Sequence, residues 1–207
     1  MATIFRAWSY RHPRLYNSIS LILTSLVGGQ KRFHLLPFQG IDLDKNDRIL
    51  DLCCGGGQAT QYLIHYSPNV TGLDLSPVVL KRAAKLVPDA NYVEGLAEKI
   101  PFPDSSFDLV YCSVALHEMS ASQLSDIFQE VFRVLSVNGQ FVFLDLHRSS
   151  NPLIWFGLQI FLFLFETETA WELTNTDLIA LLDKTGFQKI EQKLYAGGGL
   201  QVIQCQR

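Results

Sequence analysis

Cysteine is scarce in this chain and badly placed for chemistry. Among 207 residues there are four, Cys53, Cys54, Cys112 and Cys205, and they form neither a C-x-x-C pair nor a metal-ligand spacing. Adjacent Cys53 and Cys54 are poorly placed to bridge each other. That excludes a disulfide scaffold and a structural metal site, and a reducing, cytoplasmic setting is the simplest expectation. Long apolar runs are missing too: the longest, 153–165, is broken by Gln159 and falls short of the roughly 20 residues a bilayer span needs. With 17 basic and 20 acidic side chains, a net charge of -3 and a pI near 5.9, there is no basic surplus, so no nucleic-acid partner is expected. No repeat period or low-complexity linker divides the chain, which implies one α/β domain with one active site.

Acidic residues are also absent from one region. Residues 1–40 contain Arg6, Arg11, Arg14, Lys31 and Arg32 and no Asp or Glu, so the remainder carries the whole negative balance. A basic arm facing anionic lipid, a solvated helix face and an organelle transit segment all fit that bias. The apolar residues Leu15, Ile19, Leu21, Ile22, Leu23, Leu26 and Val27 give the stretch the material of a packed helix, which favours a folded helical arm or cap over 1–46.

From residue 47 onward strands alternate with helices. Strands are expected at 48–52, 69–74, 91–94, 107–113, 140–145, 187–194 and 200–204. Helices are expected at 58–66, 77–86, 121–135 and 176–184, where apolar residues recur at helical spacing. Ser122 is the expected N-cap of the third helix, and Gly186 the stop signal of the fourth. Such alternation implies a mainly parallel sheet covered on both faces, with its ligand beyond the carboxyl ends of the strands.

The residues there are chemically specific. Ile49-Leu50-Asp51-Leu52-Cys53-Cys54-Gly55-Gly56-Gly57 runs from an apolar strand into a triple glycine, which lets the backbone turn sharply and approach a ligand. Val70-Thr71-Gly72-Leu73-Asp74 is a second apolar strand ending in a carboxylate about 20 residues on, where it can accept both ribose hydroxyl protons. This spacing also suits a nicotinamide dinucleotide. The G-G-G pattern and the acidic Asp51 argue against that cofactor, because a carboxylate repels a pyrophosphate but attracts the charged end of a sulfonium amino acid.

These motifs together resemble the class I S-adenosylmethionine-dependent methyltransferases, and within them the UbiE/COQ5-like group. Residues 49–57 resemble the family's first motif and Asp74 its ribose acid. Gly95-Leu96-Ala97-Glu98-Lys99-Ile100-Pro101-Phe102 is similar to its adenine-side loop. Phe107-Asp108-Leu109-Val110 followed by Ala115-Leu116-His117 resembles the fourth-strand motif, 133–139 the turn before strand five, and Thr185-Gly186-Phe187 the helix end before strand six. The resemblance covers roughly 47–207. It implies a Rossmann-like, seven-stranded, mainly parallel sheet with an antiparallel final strand, S-adenosylmethionine as cofactor, and Asp51, Cys53, Gly55, Gly57, Asp74, Leu75, Leu96, Ala97, Glu98 and Ser113 as its binding positions. Cys53 departs from the family's first glycine, Leu96 from a common Asp, and Asn138 from a glycine, although Asn tolerates left-handed backbone.

For the acceptor, His117 just past the fourth strand is the candidate general base, with Glu118 and His147 as alternatives; a hydrogen-bonded structural histidine is the competing reading. The insertion at 151–172 is too apolar all round for an ordinary surface helix. It is open to three readings: a lid over a lipophilic acceptor, a peripheral membrane contact with Trp155 and Trp171 near its boundaries, or a packed core helix. Similarity of residues 15–26 and 195–200 to UbiE-type quinol methyltransferases implies C-methylation of a prenylated quinol or phenol. O- or N-methylation of another metabolite, and a non-catalytic cofactor-binding scaffold at a membrane, remain open alternatives.

Overall fold

The computed structural model describes Thr24 and residues 27–207, so most of the arm expected over 1–46 lies outside the described residues. The described part of that arm does not stand apart from the domain. Helix α1 (Gln30–Leu35) and the 3-10 turn Leu36–Phe38 press Phe33, Leu36 and Phe38 onto the sheet, where Phe38 stacks on Tyr111 with ring centroids 5.1 Å apart.

Seven strands follow: β1 (Ile49–Leu52), β2 (Val70–Asp74), β3 (Asn91–Glu94), β4 (Phe107–Ser113), β5 (Leu135–Leu146), β6 (Gln188–Tyr195) and β7 (Leu200–Gln206). They form one sheet of order β3-β2-β1-β4-β5-β7-β6. The first five lie parallel, whereas β7 runs antiparallel to both β5 and β6. All four residues of β1 are buried, as a central strand covered on both faces requires. At the edge, β6 reads QKIEQKLY and is almost wholly exposed; its charges discourage pairing with a further strand.

Helices α2 (Thr60–Leu63), α3 (Pro77–Leu86), α4 (Ala121–Val134), α5 (Pro152–Phe165), α6 (Glu168–Asn175) and α7 (Leu178–Thr185) complete the described α-helices. On one face Leu124, Ile127, Phe128 and Val131 of α4 pack on Phe141 and Phe143 of β5, an i, i+3, i+4, i+7 stripe. On the other, Leu63 of α2 joins Ile49, Val70, Leu109 and Tyr111.

The structure moves several boundaries. The helix expected over 58–66 shrinks to α2, because the chain on either side is held by tight turns such as Gly57 N to Cys54 O and Tyr66 N to Leu63 O. Ser120, not Ser122, caps α4: its hydroxyl accepts from Gln123 N while the Gln123 side chain bonds back to Ser120 N, so both orphan amides are satisfied. The strand expected over 140–145 begins five residues earlier, as Leu135 pairs with Phe107 before the register shifts. Helix α7 starts at Leu178 under an Asp177 cap and ends on Gly186 at φ 108. The insertion divides into α5 and a second helix, α6, that was not foreseen.

Because β2 and β3 lie on one side of β1 while β4 and β5 lie on the other, the connections leave β1 and β4 in opposite directions. The crevice at that reversal is where a doubly wound sheet accommodates a ligand. Residues 53–57 and 113–117 occupy its two lips.

Candidate functional site

The turn after β1 is built on left-handed backbone: Cys53 has φ 56, Gly55 φ 53 and Gly57 φ 84. Cys53 adopts this conformation with a side chain, at a cost of about 1–2 kcal/mol. Gly57 is required for space as well, since a Cβ there would come within 3.2 Å of the Ala83 backbone in α3.

Asp74, at the end of β2, faces this turn. Its two carboxylate oxygens accept from Gly55 N and Ser76 N, both at 2.9 Å, and each oxygen keeps a further lone pair for a ligand. Asp51 is arranged differently from expectation. Its side chain is not presented in the crevice but lies 1% exposed beneath the turn, accepting from Thr60 Oγ1 at 2.5 Å. Burial pushes its carboxyl up to about 7; the Thr60 bond acts in the opposite direction and nearby Asp74 adds to the rise.

Apolar side chains rim the crevice. Leu75, Leu96 and Val114, just past β2, β3 and β4, are 62%, 46% and 38% exposed, while the neighbouring Ser113 hydroxyl is buried without a hydrogen-bond partner. Flat apolar walls, a carboxylate and an orphaned hydroxyl at strand ends suit a nucleoside, whose ring needs greasy faces and whose sugar needs acceptors. Ala97 is buried. Glu98 is tied away to Gln123 Nε2 at 2.6 Å, so it braces the loop onto α4.

His117 lies in the 3-10 turn Leu116–Glu118 and is 4% exposed. Its Nδ1 donates to Asp145 Oδ1 at 2.8 Å and its backbone N to Asp145 Oδ2 at 3.2 Å; Nε2 stands 3.6 Å from Glu166 Oε2. Burial lowers its pKa, but Asp145, then Glu166 and Glu118, outweigh that and carry it up to about 9. A raised pKa favours the protonated ring, whereas the base role expected of it calls for the neutral one. Asp145 and Glu166 were not anticipated; an acidic residue closing the apolar strand 140–145 was the available signal for the first, whereas nothing local marks Glu166.

His147, past the end of β5, is placed apart from that pair. It lines a recess of about 220 Å³ with Leu173, Thr174, Asp177, Gln192 and Gln201. Its Nδ1 donates to Gly198 O at 2.8 Å. Glu118 is exposed on the surface. Helix α5 lies beside these groups, with Leu162 buried and Trp155, Leu158 and Phe161 packed against the main core. Among the described residues no cluster of His, Cys, Asp and Glu could hold a metal ion, and no helix is long and apolar enough to cross a membrane.

The fold resembles that of a solved S-adenosylmethionine-dependent methyltransferase from Mesorhizobium loti. That structure superposes with a TM-score of 0.65 at 23% identity, covering 88% of this chain and 100% of the other. A methyltransferase-domain family profile matches residues 50–143. An uncharacterized methyltransferase of Synechocystis is 55% identical over 99% of this chain and 97% of its own length. The chain belongs to the methyltransferase family. More distantly, a demethylmenaquinone methyltransferase of Lactobacillus johnsonii is 28% identical over 95% of this chain and 88% of the relative.

Proposed function

We propose that this enzyme methylates a lipophilic quinol or phenol. The observation that carries the reading is α5: a helix without a charged residue, packed by Trp155, Leu158 and Leu162 beside the strand ends, makes an apolar cover for an apolar acceptor. The demethylmenaquinone methyltransferase relative supports the same class of acceptor.

The crevice would hold the cofactor with Asp74 toward the ribose, the turn 53–57 toward the amino acid end, and Leu75 and Leu96 against the adenine. Ser113 would stand at the end of β4 beside it. Asp51 acts through the turn, since its bond to Thr60 fixes the start of α2 beneath the glycines. S-adenosylmethionine supplies a methyl group already activated on a sulfonium, so the protein's tasks are alignment, exclusion of water and removal of the acceptor's proton.

For that proton the arrangement favours His147 over His117. Because His147 Nδ1 is committed to the Gly198 carbonyl, its Nε2 is the nitrogen left to take a proton. Loss of the phenol proton would push electron density onto a ring carbon, which takes the methyl group as the S–CH3 bond breaks and S-adenosylhomocysteine leaves; that carbon's own hydrogen is then lost as a proton and the phenol oxygen regains one. His117 is a positioning residue: its ring ties the turn after β4 to Asp145 of β5, with Glu166 at the end of α5 alongside.

The test is transfer of a labelled methyl group into a lipid extract, repeated with His147→Ala and His117→Ala. The reading expects label in a lipid-soluble quinol or phenol, and turnover about 10²–10⁴-fold lower for His147→Ala with cofactor affinity retained. Label appearing only in water-soluble products overturns the acceptor class; normal turnover in His147→Ala removes the base assignment.

A further inference from the structure

Helix α5 has a second surface that its packing leaves uncovered. Leu153, Phe156, Ile160 and Phe163 are 81%, 64%, 47% and 72% exposed. Their spacing of three, four and three residues puts them in one stripe along the helix. Gly157 lies within that stretch, and a Cβ built on it meets no atom within 4 Å. Gln159 is the one side chain from 152 to 165 able to hydrogen-bond through an amide, apart from the indole of Trp155, and none is charged.

The N-terminal part of the stripe has basic surroundings, while Glu166 and Glu168 follow the helix at its other end. Ile154 packs on Gly197 and Gly199, Ser149 Oγ donates to Gly197 O at 2.6 Å, and Tyr195 and Ala196 of the same loop pack with Phe33 and Leu36 beside α1. The three segments meeting at this corner, 27–41, 146–165 and 192–207, contain no Asp or Glu. They expose Lys31, Arg32 and Arg148, the last with its guanidinium 5.4 Å from the Trp155 ring centroid.

We infer that this corner is a docking surface for an anionic lipid bilayer, with the stripe lying in the acyl boundary and Lys31, Arg32 and Arg148 at the phosphates. At 1.5 Å per residue, 14 residues make a rod about 21 Å long, too short to span but suited to lie in the interfacial plane. A second copy is the poorer occupant, because a two-fold pairing along the stripe would bring the same basic side chains together. A folded protein partner would normally find polar groups to fix its register, and the stripe offers none, whereas a fluid apolar phase needs none. The inference goes beyond the acceptor's identity and stands if that acceptor is some other molecule.

The experiment is co-sedimentation of the full-length protein with vesicles of phosphatidylcholine plus phosphatidylglycerol, and of phosphatidylcholine alone. Binding is expected to the anionic vesicles and to fall with salt. Phe156→Ser combined with Phe163→Ser should weaken it at least tenfold, and Arg148→Gln about fivefold, while the thermal shift given by S-adenosylmethionine stays as in wild type. Should the double variant fail to fold, Leu153→Ser alone should still weaken binding several-fold. Absence of binding to anionic vesicles, or equal binding by the Phe variants, overturns the inference. So does a dimer in lipid-free gel filtration that the Phe variants dissociate, since it assigns the stripe to a second copy.

Discussion

Replacing Asp145 with Asn tests the charge state of the buried histidine most directly. In the folded protein His117 is carried from 6.5 up to about 9, about 2.5 units, and at 1.36 kcal/mol per unit that is roughly 3 kcal/mol of preference for the protonated ring. Asp145 is 0% and His117 4% exposed, so solvent does little to dilute the interaction. A raised histidine pKa stabilises the fold fully below the unfolded value of 6.5 and loses that contribution as pH climbs through 9. Wild type should therefore lose about 3 kcal/mol of unfolding free energy between about pH 6.5 and pH 9.5, read by urea titration with tryptophan fluorescence. Asp51, raised to about 7, gives a loss of the same sign that ends near pH 7 and is common to both proteins. In Asp145→Asn the burial of His117 is opposed by less negative charge, its pKa falls back, and the alkaline slope flattens; the variant should also be about 3–5 kcal/mol less stable near neutrality. An NMR titration placing the wild-type His117 midpoint at or below 6.5, or superimposable pH profiles for the two proteins, would refute the reasoning.

Two further outcomes are expected. Asp74→Ala removes the acceptor shared by Gly55 N and Ser76 N and should weaken S-adenosylmethionine binding about 10–100-fold by calorimetry, the scale of losing one or two hydrogen bonds to a charged group; unaltered affinity would sever Asp74 from the ribose. Cys53→Gly relieves a left-handed side chain, worth up to about 1 kcal/mol after the greater chain entropy of glycine is subtracted, whereas β-branched Cys53→Val should lower the melting temperature; the reverse order in thermal unfolding would contradict the strain at this turn.

Much of the frame was legible because its signals are local. Apolar runs ending in Asp51 and Asp74, the glycine turn and the stop at Gly186 each announce a backbone event within a few residues. The beginning of β5 was not, since residues 135–139 extend only by pairing with β4 across a register shift, and nothing in Ser136 or Asn138 favours a strand. The site divided along the same line. The candidate cofactor positions follow strands and could be named, but the environment that raises the pKa of His117 comes from Asp145, 28 residues away, and from Glu166 beyond a helix whose existence was plain and whose docking was not. The histidine singled out by its place after β4 is thus accounted for by partners that spacing could not supply.

The inserted antiparallel strand also governs the order in which this sheet can be completed. Strand β6 has one neighbour, β7, and β7 follows it in the sequence. The half of the sheet from β1 to β4 can assemble from contacts already synthesised, while β6 has no hydrogen-bonding edge to join until residues 200–206 have zipped onto β5. A truncation there would therefore release two strands rather than one, strip the cover from Phe141 and Phe143, and leave a long unpaired β5 edge open to aggregation.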